Sequence, residues 1–308
     1  MDTTINPNTI VVATDGSDDA HRAVQWAAEQ AYLERRPLTV VTAVGTADVP
    51  SMVWVGMGAA YAYEPNEALA HGRAVADEGM AIARHLRPAL EVESRVLHGD
   101  PRHALVEISQ RAHLLVLGSR GRGVFRSKVL GSVSAAVSRD AACPVVVCRP
   151  RDHDAATGGV LVGADGTLES LPVIEFAFLQ ASERGLPVTV VHCVWDEIAA
   201  VHGPLPTTPG EPNLEAQRML LSESVAGMSA KFPEVPVDLR LARGLAEDCL
   251  TTRSATWDLI VVGRHPVDTL FQLLTGSVAT AVVERAHTTV VVVPQSAPAI
   301  ETDRSAAS

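Results

Sequence analysis

One feature limits what this chain can fold into more than any other: it says nearly the same thing twice. Ile10-Val11-Val12-Ala13-Thr14-Asp15-Gly16-Ser17 returns as Val160-Leu161-Val162-Gly163-Ala164-Asp165-Gly166-Thr167, an offset of 150 residues. Pro37-Leu38-Thr39-Val40-Val41 returns as Pro187-Val188-Thr189-Val190-Val191 at the same offset. Leu114-Leu115-Val116-Leu117-Gly118 and Gly131-Ser132-Val133 return as Leu259-Ile260-Val261-Val262-Gly263 and Gly276-Ser277-Val278, now 145 apart. Self-similarity at a fixed period marks a duplicated structural unit. With 308 residues the two units fall at 1–150 and 151–308, each large enough for its own core. The five residues lost from the second copy fall between its second and third strands, where a loop or helix tolerates deletion.

Each unit alternates short β-branched runs with longer helical patterns. In the first unit strands are expected near 9–13, 38–44, 91–97, 114–118 and 144–148. Between the first two, Ala20, Ala23, Val24, Ala27 and Ala31 follow the i, i+3, i+4 stripe of a helix packed on one face, with Ser17 as its N-cap. The last strands, Val145-Val146-Val147-Cys148 and Val290-Val291-Val292-Val293, are apolar throughout, as strands covered on both faces are. Strand–helix alternation of this kind predicts an α/β chain: two tandem doubly wound, Rossmann-like domains built on parallel sheets. Residues 149–158 read as the linker, 1–8 and 296–308 as frayed ends, and 45–66 as a long loop, either a lid or packing over the sheet edge.

The charge is uneven. Lys and Arg number 25 against 36 Asp and Glu, net −11, but residues 1–150 carry 15 against 16 and the remainder 10 against 20. An acidic chain does not coat nucleic acid or an anionic membrane through its overall field. An anion should therefore bind in the first unit. The start lacks a leader pattern, the longest nearly apolar stretch (52–63) is too short to span a bilayer, and the four cysteines show no CxxC spacing, so a cytoplasmic protein with reduced thiols is expected.

The chemistry centres on Gly118-Ser119-Arg120-Gly121, nine residues, then Gly131-Ser132 at a helix start. Gly118 and Gly121 let the backbone approach a phosphate closely, and Gly131 and Ser132 place N–H groups and a hydroxyl at a helix N-terminus, where anions are stabilised. Arg120, Arg122, Arg126 and Lys128 surround them with no acidic residue in the interval. A P-loop is excluded because Val124 stands where its lysine belongs, and GxGxxG fails as well. Asp15 ends the first strand; if that strand neighbours the fourth, its carboxylate faces the same crevice, at the place where open α/β sheets bind ligands. His98 and His103 flank a Gly/Pro turn and read as surface residues, not a metal pair. Cys143, Cys148, Cys193 and Cys249 read as core thiols, and no triad or nucleophile is spaced for catalysis.

Taken together, Gly118-x2-Gly121-x9-Gly131-Ser132, the Asp15 strand end and the terminal valine strand resemble the universal stress proteins, in particular the two-domain mycobacterial type whose ATP-binding members carry this motif. The resemblance implies five-stranded sheets of order 3-2-1-4-5 and an ATP site, with Mg²⁺. At that site Asp15 would contact the ribose, Ala43 would offer backbone to the adenine, and Ala13, Thr14 and Arg120 would also bind the nucleotide. Gly118 and Gly121 would border the phosphates, held by Gly131, Ser132, Val133 and Ser134. It also implies pairing of the terminal strands into a pseudo-twofold unit, within one chain or as a homodimer, and an unidentified protein partner. The second unit keeps Asp165, Gly263, Gly276 and Ser277, but Pro266 replaces the second glycine and Arg264 against Asp268 leaves its loop neutral. Proline lacks an N–H and cannot take positive φ. One nucleotide site per chain is expected, serving a stress or dormancy regulator with at most slow hydrolysis. The alternatives are a nucleotide-free interaction module and a nucleotide-dependent transferase or ATPase.

Overall fold

The computed structural model describes residues 5–45, 65–121, 130–150, 158–208, 211, 213–264 and 277–295. Among the described residues eleven strands form one sheet. In the first half they are β1 (Ile10–Ala13), β2 (Leu38–Val44), β3 (Val92–His98), β4 (Leu114–Gly118) and β5 (Val145–Cys148). In the second they are β6 (Val160–Gly163), β7 (Val188–Val194), a two-residue β8 (Leu205–Pro206), β9 (Val237–Arg243), β10 (Leu259–Arg264) and β11 (Val290–Pro294). Their order is β3-β2-β1-β4-β5-β11-β10-β6-β7-β9-β8. Pairing is parallel within each half except at the short β8 edge. The halves meet through an antiparallel ladder that sets Val145, Val146 and Val147 against Val292, Val291 and Val290. Each half thus has the expected order 3-2-1-4-5, with β8 added outside the second.

The helices α1 (Asp18–Glu34), α2 (Pro65–Leu86), α3 (Pro101–Ser109), α4 (Ser132–Asp140), α5 (Leu171–Arg184), α6 (Glu197–His202), α7 (Glu215–Lys231), α8 (Ala246–Thr251) and α9 (Val278–Arg285) cover both faces. Ser17 caps α1, its hydroxyl accepting from Ala20 N–H at 3.3 Å, and Asp18 and Asp19 sit in the first turn where the helix dipole favours acids. The helix ends at Arg35 in the left-handed region. Strand period two then divides the core: Ile10, Val12, Val116 and Val146 pack with Ala23, Ala27, Phe178 and Val291 on one side of the sheet. Val11, Leu115, Val145 and Val147 pack with Ile108, Val137, Val282 and Val292 on the other. Both clusters contain residues of both halves, so the two cores run together across the β5–β11 joint.

Two arginines reinforce that joint. A helix leaves its last carbonyls without partners, and a cation there also meets the negative end of the dipole. Arg264, at the end of β10, reaches the carbonyls of Ser138, Arg139 and Ala141 (2.5 Å for the last) at the C-terminus of α4. Arg149, just after β5, reaches those of Val283 and Glu284 (3.0 Å for the second) at the C-terminus of α9. Each half therefore caps the last helix of the other. Beside α1 and α5, the buried Gln30 donates to Glu183 at 3.0 Å and accepts from Arg184, while Glu34 meets His113 at 2.7 Å.

One expectation is corrected: the end is not frayed over 5–8, where Ile5 is buried in the core and Thr9 N–H bonds to Asn6. Arg149 and Gly158, at the edges of the expected linker, are hydrogen-bonded; 151–157 lie outside the described residues, as do 296–308 and most of the 45–66 loop (46–64), whose last residues begin α2.

Candidate functional site

β1 and β4 are neighbours, and the chain leaves β1 for β2 on one side and arrives at β4 on the other, so a crevice opens beyond their carboxyl ends. Thr14, Asp15 and Gly16 turn the chain there. Thr14 is held on both sides, its N–H to Val41 O at 2.9 Å and its carbonyl to the Thr42 hydroxyl at 3.0 Å. Gly16 takes φ 75°, and the Asp15 carboxylate accepts from Ser17 N–H at 3.0 Å. Gly121 lies directly against the other oxygen of that carboxylate: a Cβ on it would stand 2.4 Å from Asp15 Oδ2. Gly131 N–H bonds to Ser119 O at 2.9 Å, which draws the start of α4 to the same place. Gly131 is the N-cap of α4 and offers no side chain to its N–H groups, and Ser132 is exposed. Pieces of sequence more than a hundred residues apart thus converge on one small region.

Other candidates take structural roles in this geometry. The Ser134 hydroxyl donates to Gly118 O at 2.7 Å and ties α4 to β4. Arg120 Nε lies 3.2 Å from the carboxylate of Asp19. Ala13 and Ala43 are half-buried at the ends of β1 and β2, Ala43 in register with Leu97, and Val133 packs against the core below α4. Arg122, Arg126 and Lys128 lie outside the described residues.

The sequence reading missed the support beneath this region. Gly118 presses on the first turn of α1, where a Cβ would come within 2.7 Å of the Asp19 carbonyl carbon. Asp19 itself is buried and accepts from the buried Ser119 hydroxyl at 2.6 Å, and also pairs with Arg22. Burial pushes its carboxyl up, but the bonds from Ser119 and Arg120 and the two guanidinium charges outweigh it, and the net shift is downward. One signal was available: Asp19 precedes Ala23 by one helical turn on the stripe that faces the sheet.

The second half keeps the outline and changes the contents. Asp165 accepts from Thr167 N–H at 2.9 Å beside Gly166 at φ 80°, repeating the Asp15 turn. Beside Gly263, however, lies the amide of the buried Gln295, 2.7 Å from where a Cβ would stand. Arg264, at the repeat position of Ser119, turns away to α4, and Cys193 stands where Ala43 does. Ser277 is the N-cap of α9 with no side-chain bond, while Pro266 and Gly276 lie outside the described residues.

Comparison with known proteins adds an independent line. The universal stress protein family model matches residues 7–149 and again 158–294. The chain belongs to the universal stress protein family. It is similar to two Mycobacterium tuberculosis relatives along most of their lengths. Universal stress protein Rv2005c is 34% identical over 93% of this chain and 97% of its own, and Rv2623 is 31% identical over 93% and 96%. A universal stress protein from Archaeoglobus fulgidus shares the fold, with a TM-score of 0.68 at 16% identity over 95% of this chain and 100% of that one.

For this tandem universal stress protein the remaining candidates resolve simply. His98 and His103 are exposed, at the end of β3 and in α3, and among the described residues no group of three or more His, Cys, Asp or Glu could hold a metal ion. Cys143 and Cys148 are buried, and burial pushes the Cys143 thiol up to about 12. Cys193 packs against the core while half-buried, and Cys249, also expected in the core, is half-buried. Among the described residues no helix is long and apolar enough to cross a membrane.

Proposed function

We propose that the first half, residues 1–150, binds one adenine nucleotide, ATP, and that the protein acts as a stress-response regulator through its nucleotide-bound state, with little or no hydrolysis. The observation that carries this reading is the convergence of Asp15, Gly121 and the uncapped start of α4 at the β1/β4 crevice. A helix N-terminus contributes about 0.3–1 kcal/mol per anion contact when exposed and up to ~2 when partly buried, so several such donors at one place suit a polyphosphate. Gly131, Ser132 and Val133 would receive the phosphates. Asp15 would accept from a ribose hydroxyl, and Ala43 would border the base. Magnesium suits this site as a companion of the phosphates rather than as a caged ion, since among the described residues no ligand cluster adjoins the glycine loop and the second carboxylate beside it, Asp19, is engaged by Ser119 and Arg120. In the second half, residues 151–308, the Gln295 amide beside Gly263, the neutral loop and Pro266 all argue against a second nucleotide. That half would brace the first and present its acidic surface to a protein partner, in the cytoplasm.

The test is to purify the protein without added nucleotide, denature it and quantify the released nucleotide by chromatography. About one ATP per chain is the expected result. Two per chain would overturn the asymmetry, none after soaking with ATP and Mg²⁺ would favour a nucleotide-free interaction module, and rapid turnover would favour an ATPase or transferase.

A further inference from the structure

The half-buried thiols of the second half are not placed at random. Cys193 lies near the C-terminal end of β7, in register with Ala242 of β9. Cys249 is on α8, which packs on β7, and its Sγ lies 3.8 Å from Arg243 O. Cys193 packs on the core cluster that holds Leu250, the residue after Cys249, and each thiol shifts the other's proton affinity, Cys193 upward and Cys249 downward. Their repeat partners in the first half are Ala43 and Ala104, so the pair exists only where the nucleotide loop has decayed. Cys143 and Cys148, by contrast, are buried and bracket a strand.

We propose that Cys193 and Cys249 are a dithiol site that a hydroperoxide converts reversibly into a disulfide, which pins α8 to the end of β7. Cys249 is the attacking sulfur. Its neighbour Cys193 lowers its thiol against the opposing effects of burial and of Asp248 and Glu247, while Cys249 and burial raise Cys193. The Cys249 thiol gives up its proton, its sulfur attacks one peroxide oxygen and the O–O bond breaks, and the departing hydroxide takes up that proton and leaves as water, giving a sulfenic acid. The Cys193 sulfur then attacks the Cys249 sulfur, loses its proton and expels the hydroxyl as a second water. Two thiols are oxidised by two electrons and one hydrogen peroxide is reduced to two waters. A second thiol across the α8–β7 contact favours the disulfide over further oxidation of the first sulfur, and half-burial leaves the pair open to a small oxidant. The site is independent of whether the first half holds nucleotide.

The experiment uses the full chain, reduced, desalted and exposed to hydrogen peroxide, then alkylated under denaturing conditions and digested with trypsin without reductant. Cleavage at Arg184, Arg218, Arg243 and Arg253 leaves the two cysteines on separate peptides. The expected result is loss of two of the four thiols, with the two peptides joined, lighter by two hydrogens than their sum, and separated again by dithiothreitol. In Cys193→Ser, Cys249 should stop at a dimedone-trappable sulfenic acid. The proposal fails if both cysteines of the wild-type chain remain alkylatable, if Cys249 proceeds to sulfinic acid while Cys193 stays reduced, or if the bond joins two chains.

Discussion

Gly118 and Gly263 occupy the same place in the two repeats, and alanine should have very different effects there. At Gly118 the new Cβ would lie 2.7 Å from the carbonyl carbon of Asp19, 2.8 Å from its oxygen and 2.9 Å from Ala20 N. All three atoms are backbone, so relief requires moving the first turn of α1 away from β4, and that strains the buried Ser119–Asp19 bond. Overpacking costs about 1–3 kcal/mol and a hydrogen bond to a charged group contributes about 1.5–3 kcal/mol, while a less flexible unfolded chain returns about 0.4–1 kcal/mol. Gly118→Ala should therefore lose roughly 3 kcal/mol. At Gly263 the Cβ would meet only the amide end of Gln295 at 2.7–2.8 Å. That end is the tip of a flexible side chain, makes one neutral bond, to Glu169 O at 2.9 Å, and has an unpartnered Oε1. Its displacement costs about 1 kcal/mol, again partly offset, so Gly263→Ala should lose roughly 0–1 kcal/mol. Urea titration followed by circular dichroism reads the difference directly. Thermal melts should fall by roughly 6–12 °C for Gly118→Ala and under about 4 °C for Gly263→Ala, at about 2–4 °C per kcal/mol. Equal shifts, or a larger one at Gly263, would refute the argument that the obstacle's stiffness decides the cost.

Further outcomes follow from the joint and the crevice. Arg264→Met and Arg149→Met should each lose about 1.5–3 kcal/mol in urea titrations, because each leaves the carbonyls at a helix end without a cation. Glu183 has its carboxyl raised, first by burial and then by the Glu34 charge, so its ionised form weakens the native state at neutral pH. Stability should rise as pH falls through that raised value toward 4.5, and Glu183→Gln should stabilise the protein at pH 7 and flatten that interval. Asp19 and Glu34, both shifted down, act with the opposite sign, their contribution fading as pH falls through their lowered values. In calorimetric titrations with ATP, Asp15→Asn should weaken binding about tenfold, the equivalent of one hydrogen bond, with little change in melting temperature. Gly131→Phe should abolish binding and Gly276→Phe should spare it, and equal losses would sink the asymmetry.

Much of the fold was written locally. Strands expected at 38–44 and 114–118 are β2 and β4 to the residue, because one is a β-branched run between Pro37 and Gly45 and the other an apolar run that ends at Gly118, which leaves little else for those segments to do. The Ser17 cap and the alanine face of α1 were legible for the same reason. What could not be read was set by distant contacts. Nothing near Asp19 announces that Ser119 will bury it, and nothing near Arg149 or Arg264 reveals that each will end a helix of the opposite half. The convergence of Cys193 and Cys249 likewise depends on α8 docking on β7. The short α6 and β8 were missed because they belong to a stretch that the repeat does not share.

The antiparallel β5–β11 ladder has a consequence for how such a protein can change. Were two identical single-domain chains joined edge to edge, every substitution would strike both clefts at once, and a loss in one would be a loss in both. Joining the two by one polypeptide removes that constraint. The second copy can keep its valine edge, which shields the rim of β5 from pairing with strangers, while its sequence acquires Pro266, a glutamine beside Gly263 and two cysteines that the first copy lacks. Duplication here frees one member of a couple to drift in sequence while it goes on holding its mate in shape.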